Sequence, residues 1–579
     1  MNYPERKGWA WDELMGYQNY GNRTRESVAA FFQTWLYFGT LISVFSVCDI
    51  QVKMTDFICE DEQGKKLITT QKLPEMIQEW VNREGVAQFG NKDTLIVSKH
   101  GLLDMDNEVR HRRGNMIHTY LTRVLKFVDK YCNTKAQQEA EMFGTSPEFW
   151  PMDPVVALSI MAIGVPLSKM LLIIYNMPEP GPWGSSFLLN QRMKDMGWCI
   201  RDIPIKISGS SRIDRDYYFS SYPSPRRNLD HTKCDEVVCR ANNVDVKVYA
   251  TKHVIEGCDC PHMHVPMEDL LDVIKAAGIP IIHWRDGKIK ITRYDEKNIT
   301  KYIAISHVWS DGLGNEEQSS LPTCQLSRLQ GMVDGLFAEA HYVDEDYANE
   351  KAVEYSSYVQ VGFWIDTLCV PVGNDYVEYR QATIRQMGSI YKAAHCVLVL
   401  DSRVFEVPSS ADILNKILRL YLANWHRRLW TFQEGLFAKS LFFQFSDKAL
   451  TLDEMAEEYT QYYSQAIPHL YSSVGDSFTE EFLGLYKLWA MLGMVKSGNF
   501  EWFVQEVGRR TTTKQQDESI CLSTLMGLDP GELFKHKGDA RMACFYKMVG
   551  GFKPQIIFNP FPRLPIRGFG WAPISFVGQ

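Results

Sequence analysis

The sequence has little of what marks several familiar protein classes. Thirteen cysteines in 579 residues are too dilute for a disulfide scaffold, and their number is odd. No sign of charge dominates: 62 Lys and Arg stand against 70 Asp and Glu, for a net charge of −8. A globally basic nucleic-acid binder is thereby excluded, and no nucleic-acid partner is expected. Low-complexity tracts and internal repeats are missing, and 45% of residues are apolar, which excludes wholesale disorder. The opening MNYPERKGWAWDELMGYQ has no apolar signal-peptide core, so a reduced, cytoplasmic protein is expected. HExxH, GxSxG, GxxxxGK[ST] and a full dinucleotide fingerprint are also missing, and with them the enzyme classes they mark.

Long hydrophobic runs are scarce. Residues 28–47 and 154–175 are the two worth testing against a membrane. Gln33, Thr34, Ser43 and Ser46 interrupt the first, and Pro166 and Lys169 the second. Both read as buried core helices, and no membrane span is favoured.

The chain changes character along its length. Residues 1–225 read as mainly helical, 226–300 as a Cys/His-rich module with short strands, 301–450 as α/β, and 451–579 as helical with a Pro/Gly-rich tail. Within the module, IPIIHW and KIKITRY flank Asp286-Gly287 as a hairpin. In the α/β part, YIAISHVW (302–309), FWIDTLCV (363–370) and CVLVLD (396–401) read as buried strands. A helix over 378–394 separates the last two, and SLFFQF (440–445) suits a fourth strand. Alternating β and α units predict a parallel sheet covered by helices on both faces. Ligands of such sheets lie at the carboxyl ends of the strands. Those ends carry Ser306, His307, Asp311 and Asp366, with Asp401 expected in an exposed loop. The Gly312-Leu313-Gly314 turn would let the backbone approach a ligand closely.

Cysteine and histidine cluster as His231-x2-Cys234-x4-Cys239-x13-His253-x4-Cys258-x-Cys260. Thiolates and imidazoles paired at short spacing suit a structural tetrahedral zinc. On that reading Cys234, Cys239, Cys258 and Cys260 are the ligands, and His231 and His253 are substitutes. Buried, reduced cysteines in a small β module are the alternative. Cys324, Cys369 and Cys396 read as packing residues of the α/β part.

YIAISHVWSDGLG, FWIDTLCVP, IRQMGSIYKAAHCVLVLD and RRLWTFQEGLFAKSLFF occur in that order over residues 302–445. Together they resemble the heterokaryon-incompatibility (HET) domain family of filamentous fungi. DESICLSTLMGLD and the closing GFGWAP also resemble long fungal members. The HET domain is similar in turn to the TIR domain, which implies a flavodoxin-like parallel sheet. In NAD-cleaving TIR proteins, the glutamate of a Trp-x-x-x-Glu segment is catalytic. The resemblance carries that role to Glu434, with Trp430 one helical turn before it. It implies NAD as a substrate, held by Ser306, Asp311, Gly312 and Asp366. One departure is the long insertion between Asp401 and Trp430, where TIR domains have a short loop. A single carboxylate suits the chemistry, because nicotinamide leaves as a neutral ring and needs little acid assistance. The plainer reading is that Glu434 caps or salt-bridges a helix and Trp430 is core. Two functions follow: a cell-death effector of innate-immune type that cleaves NAD, or a non-enzymatic module that signals by self-association or by binding a HET- or TIR-like partner.

Overall fold

The computed structural model describes residues 3–9, 23–84, 107–133, 152–203, 213–224, 227, 229–235, 239–241, 249–295, 301–340, 361–466, 507–508, 510–558 and 561–577. The chain forms two compact units: residues 229–459 with 482–579, and residues 1–228 with 460–481.

The first of these units is built on one seven-stranded sheet. Its strands are β1 (Pro280–Arg285), β2 (Lys288–Arg293), β3 (Tyr302–His307), β4 (Gly362–Trp364), β5 (Cys396–Leu400), β6 (Leu441–Gln444) and β7 (Ala449–Thr451). Their spatial order is β7-β6-β5-β3-β4-β1-β2. The four central strands, β6, β5, β3 and β4, are mutually parallel. They are the near-continuous apolar runs, as strands covered on both faces must be.

The sheet departs from the expected all-parallel one at both edges, because β7 runs antiparallel to β6 and β1 antiparallel to β4 and β2. Local turn chemistry is the reason. Asp286 and Gly287 both take positive φ, 51° and 71°. That is the two-residue turn whose twist suits a hairpin, so β1 and β2 must run antiparallel. The hairpin expected inside the Cys/His-rich module is therefore an edge of the main sheet. The run 363–370 is also not one strand. β4 stops at Trp364, and Asp366–Cys369 turns into a short helix. The Asp366 carboxylate accepts the Thr367 amide at 2.7 Å, and the Cys369 amide returns to the Ile365 carbonyl at 2.9 Å.

Helices α1 (Met267–Lys275), α2 (Thr323–Ala340), α3 (Val377–Ala393), α4 (Leu429–Leu436), α5 (Glu518–Leu525) and α6 (Gly538–Val549) accompany this sheet. Tyr302 of β3 donates to the Ile390 carbonyl of α3, and Ser306 bonds Glu434 of α4. Residues 302, 304 and 306 share a strand face, so α3 and α4 lie on one side of the sheet. A separate core of Leu429, Phe432, Leu436, Ile520, Leu522, Phe545, Leu564 and Phe576 packs α4 against α5, α6 and the tail.

The other unit is helical. Arg25–Val47 runs as a helix with a π-turn at Trp35–Gly39, and Leu73–Arg83, Asn107–Tyr131 and Pro154–Tyr175 follow. Its core is rich in aromatics, with Trp35, Trp80, Tyr37, Phe45 and Phe127 fully buried. Glu26–Val47 and Pro154–Tyr175 are long and apolar enough to cross a membrane, and 67% and 56% of their most apolar stretches are buried.

Candidate active site at the carboxyl ends of the parallel strands

β3 occupies the centre of the sheet, and the chain leaves it first toward β4 and later toward β5. Open α/β sheets hold ligands at the strand carboxyl ends where the winding reverses. A cleft of about 430 Å³ opens in this region, a size suited to a small-molecule ligand. His307 follows from β3, Asp366 from the turn after β4, Arg380 and Met387 from α3, and Trp430 and Glu434 from α4. Thr512–Lys514 and Asp517 complete the wall.

Glu434 is buried at 7% exposure. Its carboxylate takes a hydrogen bond from Ser306, whose Oγ accepts the Trp425 indole N–H at 2.5 Å. Burial pushes the Glu434 carboxyl up to about 7, against the pull of the Ser306 hydrogen bond. The neighbouring Asp366 charge pushes it further up, and His307 and the Tyr391 hydroxyl pull it down. Asp366 behaves oppositely. Burial disfavours its charge, but His307 Nε2 at 2.7 Å, the Trp309 indole at 3.0 Å and the Thr367 amide hold it below the usual range. Burial likewise opposes the charge on His307, yet Asp366 raises it overall. The pair is an imidazole hydrogen-bonded to a carboxylate, beside a carboxyl raised to about 7.

Arg428 supplies a cation to the same wall, lowered by burial although Glu434, Asp366 and Asp517 pull it up. It immediately precedes α4, and a short parallel bridge joins Arg428 to Thr511. The Leu429 amide donates to the Thr511 carbonyl at 3.0 Å, which carries residues 512–517 into the cleft. Asp517 then accepts the Trp430 indole at 3.2 Å.

The sequence-derived candidates divide here. Glu434, Trp430 and Asp366 line one cleft. Ser306 is fully buried behind Glu434 and reaches the cleft only through it. Asp311 is turned to the Ser402 amide at 2.7 Å and to Asn424, outside the lining. Gly312 lies against Lys252. Asp401, expected in an exposed loop, is 2% exposed and accepts the Trp425 and Arg403 amides at 2.9 Å. Burial and the Asp311 charge raise it to about 7. Those two amides explain the burial: Asp401 fixes the loop that carries Trp425 to Ser306. The cleft roles of Arg428, Arg380 and residues 512–517 were not readable from spacing, since the cleft residues of the C-terminal part lie about eighty positions from α4. His307 had a signal in its place at a strand end.

The Cys/His segment does not form one knuckle. His231, Cys234 and Cys239 gather in one group, with Nδ1–Sγ distances of 3.6 and 3.7 Å and Sγ–Sγ of 3.8 Å. Cys258, Cys260 and His253 form another with Cys324, all ligand atoms lying within 4.8 Å of one another. Loop 249–260 ends against the start of α2, so its fourth thiol comes from that helix rather than from Cys234 or Cys239. Each group offers the donor chemistry of a metal such as zinc.

Residues 302–404 match the family model described as heterokaryon incompatibility protein (HET). This segment is a HET domain. It spans β3 through β5 and includes His307 and Asp366, and α4 with Glu434 follows it. A HET domain points to a role in heterokaryon incompatibility and cell death. No curated protein and no solved structure matches the chain.

Proposed function

We propose that the HET-domain cleft binds NAD and hydrolyses its nicotinamide–ribose bond, making the protein an NAD-consuming cell-death effector. The observation that carries this reading is Glu434: a buried carboxyl, raised to about 7, beside Trp430 at the strand carboxyl ends. The order of the parallel core, with the first strand between the second and third, supports the flavodoxin-like and TIR-like likeness behind it. Trp309 and Trp430 line the cleft and give it aromatic surface for a nicotinamide or adenine. Arg380, Arg428 and Lys514 offer cations to a diphosphate.

In the reaction the C–N bond to ribose breaks and its electron pair neutralises the ring nitrogen. The ionised Glu434 stabilises the oxocarbenium-like ribosyl centre and takes a proton from the attacking water. Ser306 and Trp425 hold the carboxylate in place. Turnover that needs ionised Glu434 rises with pH through about 7 and is lost below it. Zinc held by the Cys/His groups is structural in this reading, because none of their ligands lines the cleft.

The test is NAD cleavage by the purified full chain beside its Glu434→Gln variant. The full chain is needed because residues 512–517 form part of the wall. Loss of turnover in a folded variant supports the reading. A parent chain that leaves NAD intact while still killing cells would favour signalling through a HET- or TIR-like partner.

A further inference from the structure

We propose that His253, Cys258, Cys260 and Cys324 bind a zinc ion that clamps loop 249–260 to the start of α2 and thereby fixes the cleft loop 309–316. The inference stands on geometry alone and does not depend on what the cleft binds.

The ligand spacing suits zinc. Zinc bonds of about 2.3 Å to sulfur and about 2.0–2.1 Å to nitrogen, arranged tetrahedrally, place S and N about 3.6 Å apart. His253 Nδ1 lies 3.3 Å from Cys260 Sγ and 3.6 Å from Cys324 Sγ. No disulfide links these cysteines. Backbone amides point at the sulfurs as they do around a thiolate: Val254 donates to Cys324 Sγ at 3.4 Å, and Cys324 to Cys260 Sγ at 3.4 Å. The surroundings are fixed independently. Strand His262–His264 pairs with Ser320–Pro322, and Thr323 donates to the Pro261 carbonyl through both its amide and its hydroxyl.

The clamp also holds the support of the cleft loop. Immediately before His253, the Lys252 amide donates to the Gly312 carbonyl at 2.9 Å, and the Thr251 hydroxyl donates to the Gly314 carbonyl at 2.5 Å. The Gly314 amide donates to the Tyr249 hydroxyl at 2.8 Å, and Tyr249 stacks on Trp309. Gln325 of α2 ties the Lys252 carbonyl at 2.9 Å. Gly312 sits at φ 103°, and a Cβ there would meet the Lys252 side chain at 2.6 Å. The cleft loop therefore rests on residues 249–252 in close registry. Trp309 at its start holds Asp366, and Asn315 and Glu316 at its end line the cleft. A metal that anchors residue 253 fixes the support on which the loop rests.

The test uses the purified full chain, its Cys324→Ser variant, and Cys258→Ser, which removes a ligand from the loop without altering α2. Metal content is read by mass spectrometry and amide protection by hydrogen exchange, with Cys544→Ser as the control. Each ligand variant is expected to hold one zinc equivalent fewer than the parent. The Lys252 and Gly314 amides should exchange about tenfold faster or more, and the β5 amides at parental rates. A ligand variant that keeps the parent's zinc content overturns the site, as does a Cys258–Cys324 disulfide found in the parent. Loss of zinc with unchanged exchange at Lys252 and Gly314 overturns the clamp.

Discussion

The helical unit and the α/β unit differ in the buried charge they keep. In the helical unit several buried polar groups are paired within an aromatic core. Arg113 meets the fully buried Glu84 at 3.0 Å, Trp183 donates to Ser168 at 2.8 Å, and Trp80 donates to Tyr175 at 3.0 Å. In the α/β unit, three carboxyls other than Asp366 stay buried with partners that leave them raised. Glu434, Asp401 and Glu518 are each raised to about 7 by burial. Two of them lie next to the strand carboxyl ends, and Glu518 follows the cleft residue Asp517. The contrast is between buried charge that is paired and buried carboxyls held at about 7.

The contrast can be broken most sharply at Glu434. Glu434→Gln should lower NAD turnover by about a hundredfold or more while leaving the fold intact, as measured by nicotinamide release and circular dichroism. Retained turnover would return Glu434 to a helix-packing role. In the helical unit the expected effect is on stability. Trp80→Ala should cost about 3–5 kcal/mol in that unit's unfolding, followed by denaturant titration. Arg113→Met, which strands Glu84, should cost about 3 kcal/mol in the same titration.

A smaller, pH-dependent effect sharpens the comparison further. The folded state raises Glu434 and Glu518 from an ordinary 4.5 to about 7. Each group's stabilisation is therefore complete below about 4.5 and is lost as pH rises to about 7, roughly 3 kcal/mol at most per group. His307, also raised, acts in the same direction. The unfolding midpoint of the α/β unit should fall between about pH 5 and about pH 7.5, and Glu518→Gln should flatten that slope in thermal scans. A midpoint that rises over this window would mean that the carboxyls are ionised at little cost.

What the sequence made legible follows the same division. The buried strands over 302–307, 396–400 and 441–444 and the helix over 377–393 were readable, because a doubly covered strand is a short apolar run and a helix face repeats. FWIDTLCV misled because its apolar character continues past Trp364, while the turn is made by a hydrogen bond from the Thr367 amide to the Asp366 side chain. Asp401 misled because a charged residue after a strand is usually solvated, and two backbone amides cannot be seen in a residue string. The cysteine spacing revealed thiol chemistry but not its partition, since Cys324 lies far along the chain from Cys260. Glu434 and Trp430 were legible only as a spaced pair carried by a resemblance. The walls supplied by Arg428 and residues 512–517 depend on a bridge between Arg428 and Thr511 that no local pattern encodes.

The bond from the Trp425 indole to Ser306 Oγ places a reporter one hydroxyl away from Glu434. An indole N–H can only donate, so the Ser306 proton is free to point at the carboxylate, and a proton taken up on the facing Oε2 would reverse that bond. The electron density at the indole nitrogen must follow. A fluorine label on the Trp425 ring would make the protonation of Glu434 visible as a chemical shift, in a protein at rest and with no substrate added.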